Sequence, residues 1–321
     1  MKKIITTRII ILLSLTFAFY CSFAQTDIDA IMMNKKQFCA GLMYSSGSWK
    51  NYWEGTNKRV NANLGTVSTK EFMIQGNYGI RNNLNFLFSL PYIKTKATAG
   101  TLHSMKGLQD LSLFLKYMPI KKEIGHGTFS VYTIGGLSFP TTDYVADYLP
   151  LSIGMHSTNL SFRGMLDYQI SNWFATISGT YIQRSNVEID RTSYYTTEMH
   201  YTNEVRMPNA TSFNIRTGFR SNKLIAEAVL NKWITQGGFD ISKNNMPFLS
   251  NTMNNTSVGF NGKYTVKKDG NLALTGGLNY TVSGRNVGQA THFNFGGFYV
   301  IDFNKKFKAA AEKKLDGNTM N

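Results

Sequence analysis

Between residues 209 and 220 the chain reads NATSFNIRTGFR, which puts Phe213, Ile215, Thr217 and Phe219 on one side of an extended backbone. Asn214, Arg216, Gly218 and Arg220 fall on the other. The same period of two returns along the chain. Phe72, Ile74, Gly76, Tyr78 and Ile80 alternate with Gln75 and Asn77, and Leu160, Phe162, Gly164, Leu166 and Tyr168 with Ser161, Arg163 and Asp167. Repeated this often, the pattern predicts strands near 36–46, 67–80, 84–96, 108–119, 127–140, 157–170, 173–187, 209–221, 223–236, 254–266, 271–284 and 291–303. Most of these exceed the roughly 5 or 6 residues usual in soluble sheets and reach the roughly 9 to 11 that a tilted strand needs to cross a bilayer.

Alternation alone does not say which solvent meets which side. In a soluble sheet the apolar side covers a core, whereas in a membrane barrel it faces lipid and the polar side faces the lumen. The connections decide. Arg81-Asn82-Asn83, Lys121 to His126, Ser171-Asn172, Ser221-Asn222 and Lys267 to Gly270 are short, and they alternate with long stretches at 47–66, 97–107, 141–156, 188–208 and 237–253. Aromatic residues such as Tyr92, Tyr117, Tyr168, Trp173, Trp233 and Tyr280 lie near strand ends, where a barrel places its interfacial girdles. The expectation is an all-β chain: a transmembrane antiparallel up-and-down β-barrel of about 12 strands (12 to 14) over residues 37–303, with short turns and both termini in the periplasm.

The rest of the chain agrees with export. Lys2, Lys3 and Arg8 precede an apolar run from Ile9 to Tyr20 and then Ser22-Phe23-Ala24, the pattern of a signal peptide over 1–24. The outer membrane of a Gram-negative bacterium is the destination this implies. Beyond the signal no apolar run is long enough for a helical span. Cys39 would be left alone, which excludes an intrachain disulfide and fits a small apolar filler. Residues 25–36 read as a short periplasmic segment, and 304–321 as a tail or part of a further strand.

The formal charge of +15 raises the question of nucleic acid. No dense basic cluster or nucleic-acid motif accompanies it, and many of the basic residues sit in turns, among them Lys121, Lys122, Arg220, Lys223, Lys267 and Lys268. The partners expected are therefore outer-membrane lipid and lipopolysaccharide and the barrel assembly machinery, with no nucleic acid.

Two groups of side chains could carry function. On the polar strand faces, Asp110, Lys116, Arg163, Asp167, Arg216, Glu227 and Lys263 would line a lumen, either as a bracing network of paired charges or as a charged constriction. In the long loops, Tyr144, Tyr148, Tyr194, Tyr195, Met246 and Phe248 would either pack as a lid or form a capture site for a small hydrophobic ligand. The five histidines are scattered and no glycine-rich phosphate loop is present, so no metal or cofactor is expected; His156 beside Ser157 and Ser161 is a weak hydrolase signal.

Three segments carry a resemblance. LNFLFSLPYIKTKATAG (84–100), GLQDLSLFLKY (107–117) and GGLSFPTTD (135–143) resemble strands of the MetA-pathway of phenol degradation family of outer-membrane proteins, which are akin to the long-chain fatty-acid channels. The resemblance implies a monomeric barrel of about 12 strands that passes small hydrophobic or aromatic molecules. The fatty-acid channels carry a substantial N-terminal plug, for which Gln25 to Lys36 is too short. A channel is the first functional expectation, a surface interaction or adhesion protein anchored by its barrel the second, and an outer-membrane hydrolase a distant third.

Overall fold

The computed structural model describes residues 26–241, 246–266 and 271–304. The expected signal peptide, the Lys267 to Gly270 turn and the tail from 305 onward lie outside the described residues. Twelve long strands form one wall: β1 (Gln37–Trp49), β2 (Val67–Arg81), β3 (Leu84–Ala97), β4 (Asp110–Ile124), β5 (Gly127–Pro140) and β6 (Asn159–Ile170). They continue as β7 (Trp173–Arg184), β8 (Ala210–Arg220), β9 (Leu224–Thr235), β10 (Asn254–Thr265), β11 (Leu272–Arg285) and β12 (Thr291–Asp302). Each pairs antiparallel with its sequence neighbours, and β12 returns to pair with β1, so the sheet closes. Closure leaves no wall edge unpaired, the condition a sheet must meet to stand in hydrocarbon.

The β3–β4 seam is the least regular part. Leu84 to Ser89 pair with Ser112 to Tyr117, and Tyr92 to Lys94 pair with the short strand Lys106–Leu108. The backbone N–H of Gln109 donates to the Pro91 carbonyl between these two ladders. Pro91, which has no N–H to offer, thus contributes only an acceptor at the step between them.

Side-chain parity is uniform around the wall. Leu166, Ile177, Ile215, Leu230, Val258 and Tyr280 lie directly opposite one another across β6 to β11, and all point outward at 40% or more relative exposure. One residue along, Asp167, Thr176, Arg216 and Val229 form a buried row across β6 to β9. An apolar outside around a polar inside is the membrane-barrel arrangement. Ile215→Arg should therefore destabilise the barrel in lipid vesicles by about 2–4 kcal/mol, while Ile215→Leu leaves it nearly unchanged. Urea unfolding read by gel mobility measures both, and equal stability of the two variants would contradict a lipid-facing Ile215.

Candidate functional site

The N-terminal segment, expected as a short periplasmic stretch, turns into the barrel. At the short-turn rim the Lys36 N–H donates to the Gly79 carbonyl, and Lys36 itself adopts a positive φ of 63°. A Cβ on Gly79 would strike the Asn34 carbonyl, so glycine is what lets the segment pass the wall so closely. From there Met33 packs against Cys39, Ala273, Phe298 and Val300, and Ala30 against Tyr132, Ile134 and Met165. Cys39 is thus part of an apolar cluster inside the wall.

Lys116 on β4 holds this segment. Its ammonium is fully buried and faces four oxygens of the segment: the carbonyls of Thr26, Asp29 and Ile31 and Oδ1 of Asp29, the last at 3.0 Å. Three N–H donors against four acceptors leave the charge saturated. Asp29 in turn accepts from the backbone N–H groups of Thr26 and Ile31, so its carboxylate folds the segment about itself. Two further ties hold neighbouring residues: Arg163 pairs with Asp27 at 2.7 Å, and the Tyr132 hydroxyl donates to the Ala30 carbonyl.

The other expected lumen residues sit on the wall. Asp167 accepts from Arg220 at 3.1 Å and from the Thr176 hydroxyl, while the Arg220 guanidinium lies 3.7 Å from the centre of the Phe174 ring. Arg216 pairs with Glu227 at 3.2 Å, and Asn261 donates to Glu227. Lys263 is buried on the same side of the barrel. Asp110 stands apart at the long-loop rim, where it accepts from the Tyr144 hydroxyl. The segment packs on β4 to β6 around Lys116 and Ala30 and on β1, β11 and β12 through Met33, and a cavity of about 330 Å³ remains between it and β8 to β10. Arg216, Glu227, Lys263 and Glu71 line that cavity together with apolar Met43, Met73, Ile225 and Phe298. Asp27, Asp29, Glu71 and Arg220 were missing from the expected set. The acids of the segment announce themselves only as the alternation Asp27-Ile28-Asp29.

The long loops interlock. Ala146, Val187, Ile189, Tyr194, Val205, Met207 and Leu249 form one apolar core drawn from three loops, with Phe248 packed against it. Beside this core a cleft of about 600 Å³ is lined by Tyr148, Tyr194, Tyr195, Met246 and Phe248, five of the six expected capture residues. Tyr195, Tyr148 and Met246 stay exposed, whereas Tyr194 is buried and stacked on His200. Arg191 closes one side, paired with Asp147 at 2.6 Å and lying over the Phe248 ring. Tyr144 does not join them. It is buried with Ile93 and Ile153, and burial followed by its bond to Asp110 pushes its hydroxyl pKa up, which keeps it a donor. The His156 and Ser157 pair is not assembled either: His156 faces Asp143, and the Ser157 hydroxyl donates to the Ser185 carbonyl. Among the described residues no group of acids, histidines and cysteines could hold a metal ion.

If Lys116 is the anchor, Lys116→Met should release the segment while leaving the wall intact. Losing one partner of a buried ion pair costs about 3–5 kcal/mol, so amide exchange over 26–33 should quicken on the order of a hundredfold or more, with β1 to β12 unchanged. Unaltered protection of the segment would show that Lys116 does not hold it.

Comparison with solved structures gives the fold independently. The chain is similar to the COG4313 outer membrane channel from Pseudomonas putida F1, with a TM-score of 0.68, 12% identity, and coverage of 87% of this chain and 100% of that one. It also matches the NanC porin (TM-score 0.45, 8% identity, 80% and 98% covered). A third match is the translocator domain of the autotransporter NalP from Neisseria meningitidis (TM-score 0.42, 12% identity, 82% and 87% covered). No curated protein matches the sequence. The model of one family matches residues 51–295, three quarters of the chain. The fold is that of an outer-membrane β-barrel, and the protein belongs to the family described as "Putative MetA-pathway of phenol degradation".

Proposed function

We propose that the barrel is a passive channel for small hydrophobic or aromatic molecules, with its long loops facing outward and its short turns in the periplasm. The observation that carries this reading is the cleft among the loops, where Tyr148, Tyr195 and Met246 present apolar surface to solvent beside a packed loop core. Rings of this kind bind apolar solutes at small entropic cost. Two inner spaces support a path beyond it: the 330 Å³ cavity beside the N-terminal segment, and a space of about 780 Å³ at the short-turn rim, lined by Met32, Asn34, Met118 and His126 among others. The ionisable residues lining the first are Asp29, Glu71 and Glu227 against Arg216, Arg220 and Lys263. Equal numbers of each sign give little sorting by charge, so size and apolar surface decide what passes.

A second reading draws on Tyr201, which is 86% exposed in the loop that follows Met199 and His200. In that reading the loops bind a partner and the barrel only anchors them. Uptake separates the two. Replacing Tyr148, Tyr195 and Met246 together by Ser spares the buried loop core. It should slow entry of a phenol-like solute into proteoliposomes several-fold while leaving slow leakage of a small sugar unchanged. Aromatic uptake that is absent in the unaltered protein would remove the channel reading, and uptake that is undiminished in the assembled triple variant would remove the cleft as its capture site.

A further inference from the structure

The positive charge of the chain is not confined to turns. Lys70 on β2 lies directly opposite Lys94 on β3, and Lys94 lies directly opposite Lys106 on the short strand that leads into β4. Lys96 stands two residues beyond Lys94 on the same face. All four are exposed, on the outward parity of β2 and β3. The row two residues closer to the barrel middle is Phe72, Tyr92 and Leu108, equally in register and also exposed. Tyr44 extends this apolar row, with its ring 4.8 Å from Phe72 and 5.2 Å from Phe295. Three lysines in adjacent strands therefore sit one step above an aromatic belt, on the lipid side of the wall.

Like charges directly opposite one another destabilise a sheet unless something neutralises them. The protein does not supply that neutralisation: among the described residues none of the four lysines is in an ion pair, and Asp143 on the nearest acidic loop faces His156. Elsewhere on the outer face Lys232 stands singly, opposite Phe213 and Thr256, so the row is a local feature. Lysine is a compact point charge suited to phosphate, and its long stem can lie along the apolar row while the ammonium reaches the headgroup level.

We propose that Lys70, Lys94 and Lys106, supported by Lys96, bind the phosphate groups of a phosphorylated glycolipid in the outer leaflet. A lipid rather than a soluble anion is favoured because the row faces outward from the wall at the edge of the apolar belt. The assignment to the outer leaflet rests on the long loops facing outward; the lipid-side placement of the row rests on the fold alone. The site would tie the least regular seam of the wall, β3 to β4, to the surrounding membrane.

The test uses the full chain, assembled and purified in detergent, with native mass spectrometry reading retained lipid. Heat-modifiable gel mobility confirms that each variant is folded. The probes are bisphosphorylated lipid A, the same lipid with its phosphates removed, phosphatidylglycerol, and inorganic phosphate. The unaltered protein should prefer the phosphorylated glycolipid over the dephosphorylated one by on the order of tenfold or more. K70Q/K94Q/K106Q should lose that preference, and K70R/K94R/K106R should keep it. No preference in the unaltered protein, or a preference that survives the glutamine substitutions, would overturn the site. Equal retention of phosphatidylglycerol would overturn the glycolipid assignment and point to an inner-leaflet position, and equal binding of inorganic phosphate would make the row a soluble-anion site.

Discussion

The wall can present Ile215, Leu230 and Val258 to lipid only because its backbone N–H and C=O groups bond to the next strand, and β12 meets β1 to complete the circuit. Closure at twelve strands then dictates the interior. Polar residues that face inward from the closed wall are withdrawn from bulk water, so they must find partners. The Arg220 and Asp167 pair and the Arg216 and Glu227 pair are the outcome, each bridging neighbouring or next-neighbouring strands. Lys116 is different. No carboxylate of the wall meets it, and a segment of the chain's own N-terminal end supplies the oxygens instead. The segment that this buried ammonium holds fills part of the lumen and leaves a cavity bordered by β8 to β10.

How much of this was legible from sequence depended on the range of the interaction. Strand positions follow from nearest-neighbour alternation, and all twelve lie within five residues of expectation; β4 departs most, running to Ile124 rather than 119 through much of the expected Lys121 to His126 turn. β7 stops at Arg184 rather than 187, because Val187 and Glu188 leave the wall to pair with Val205 and Glu204 in the loop. The course of the N-terminal segment is not legible in its own residues, because it is set by contacts about 90 residues away. Arg220 was counted among turn residues, yet it reaches back into the lumen to Asp167. Tyr144 was grouped with the exposed loop aromatics, but its partners Ile93 and Asp110 belong to other strands. The lysine row is illegible in one dimension, since 70, 94 and 106 meet only through register.

The loops contain both a packed core and a cleft. Their core, built around Val205 and Leu249, packs as a lid would, while Tyr148, Tyr195 and Met246 border a cleft beside it. A rigid lid holds such a cleft open without the entropic cost of ordering it for each ligand. Asp240 strengthens the frame from the other side: the hydrogen bonds it accepts from Arg285 hold its carboxyl below the usual range, and at 2.7 Å they tie the 236–253 loop to the end of β11. The family match and the fold identify the chain as an outer-membrane type of β-barrel. In the proposed channel, the choice of solute rests on these loops and on the space the N-terminal segment leaves.

Residues 26–33 occupy part of the lumen, and single-channel conductance in planar bilayers measures that occupation directly. The assembled protein should show a small unitary conductance, and the same barrel lacking residues 26–33 one several-fold larger, because conductance follows the open cross-section. Indistinguishable conductances for the two would mean that the segment does not occupy the lumen in the membrane.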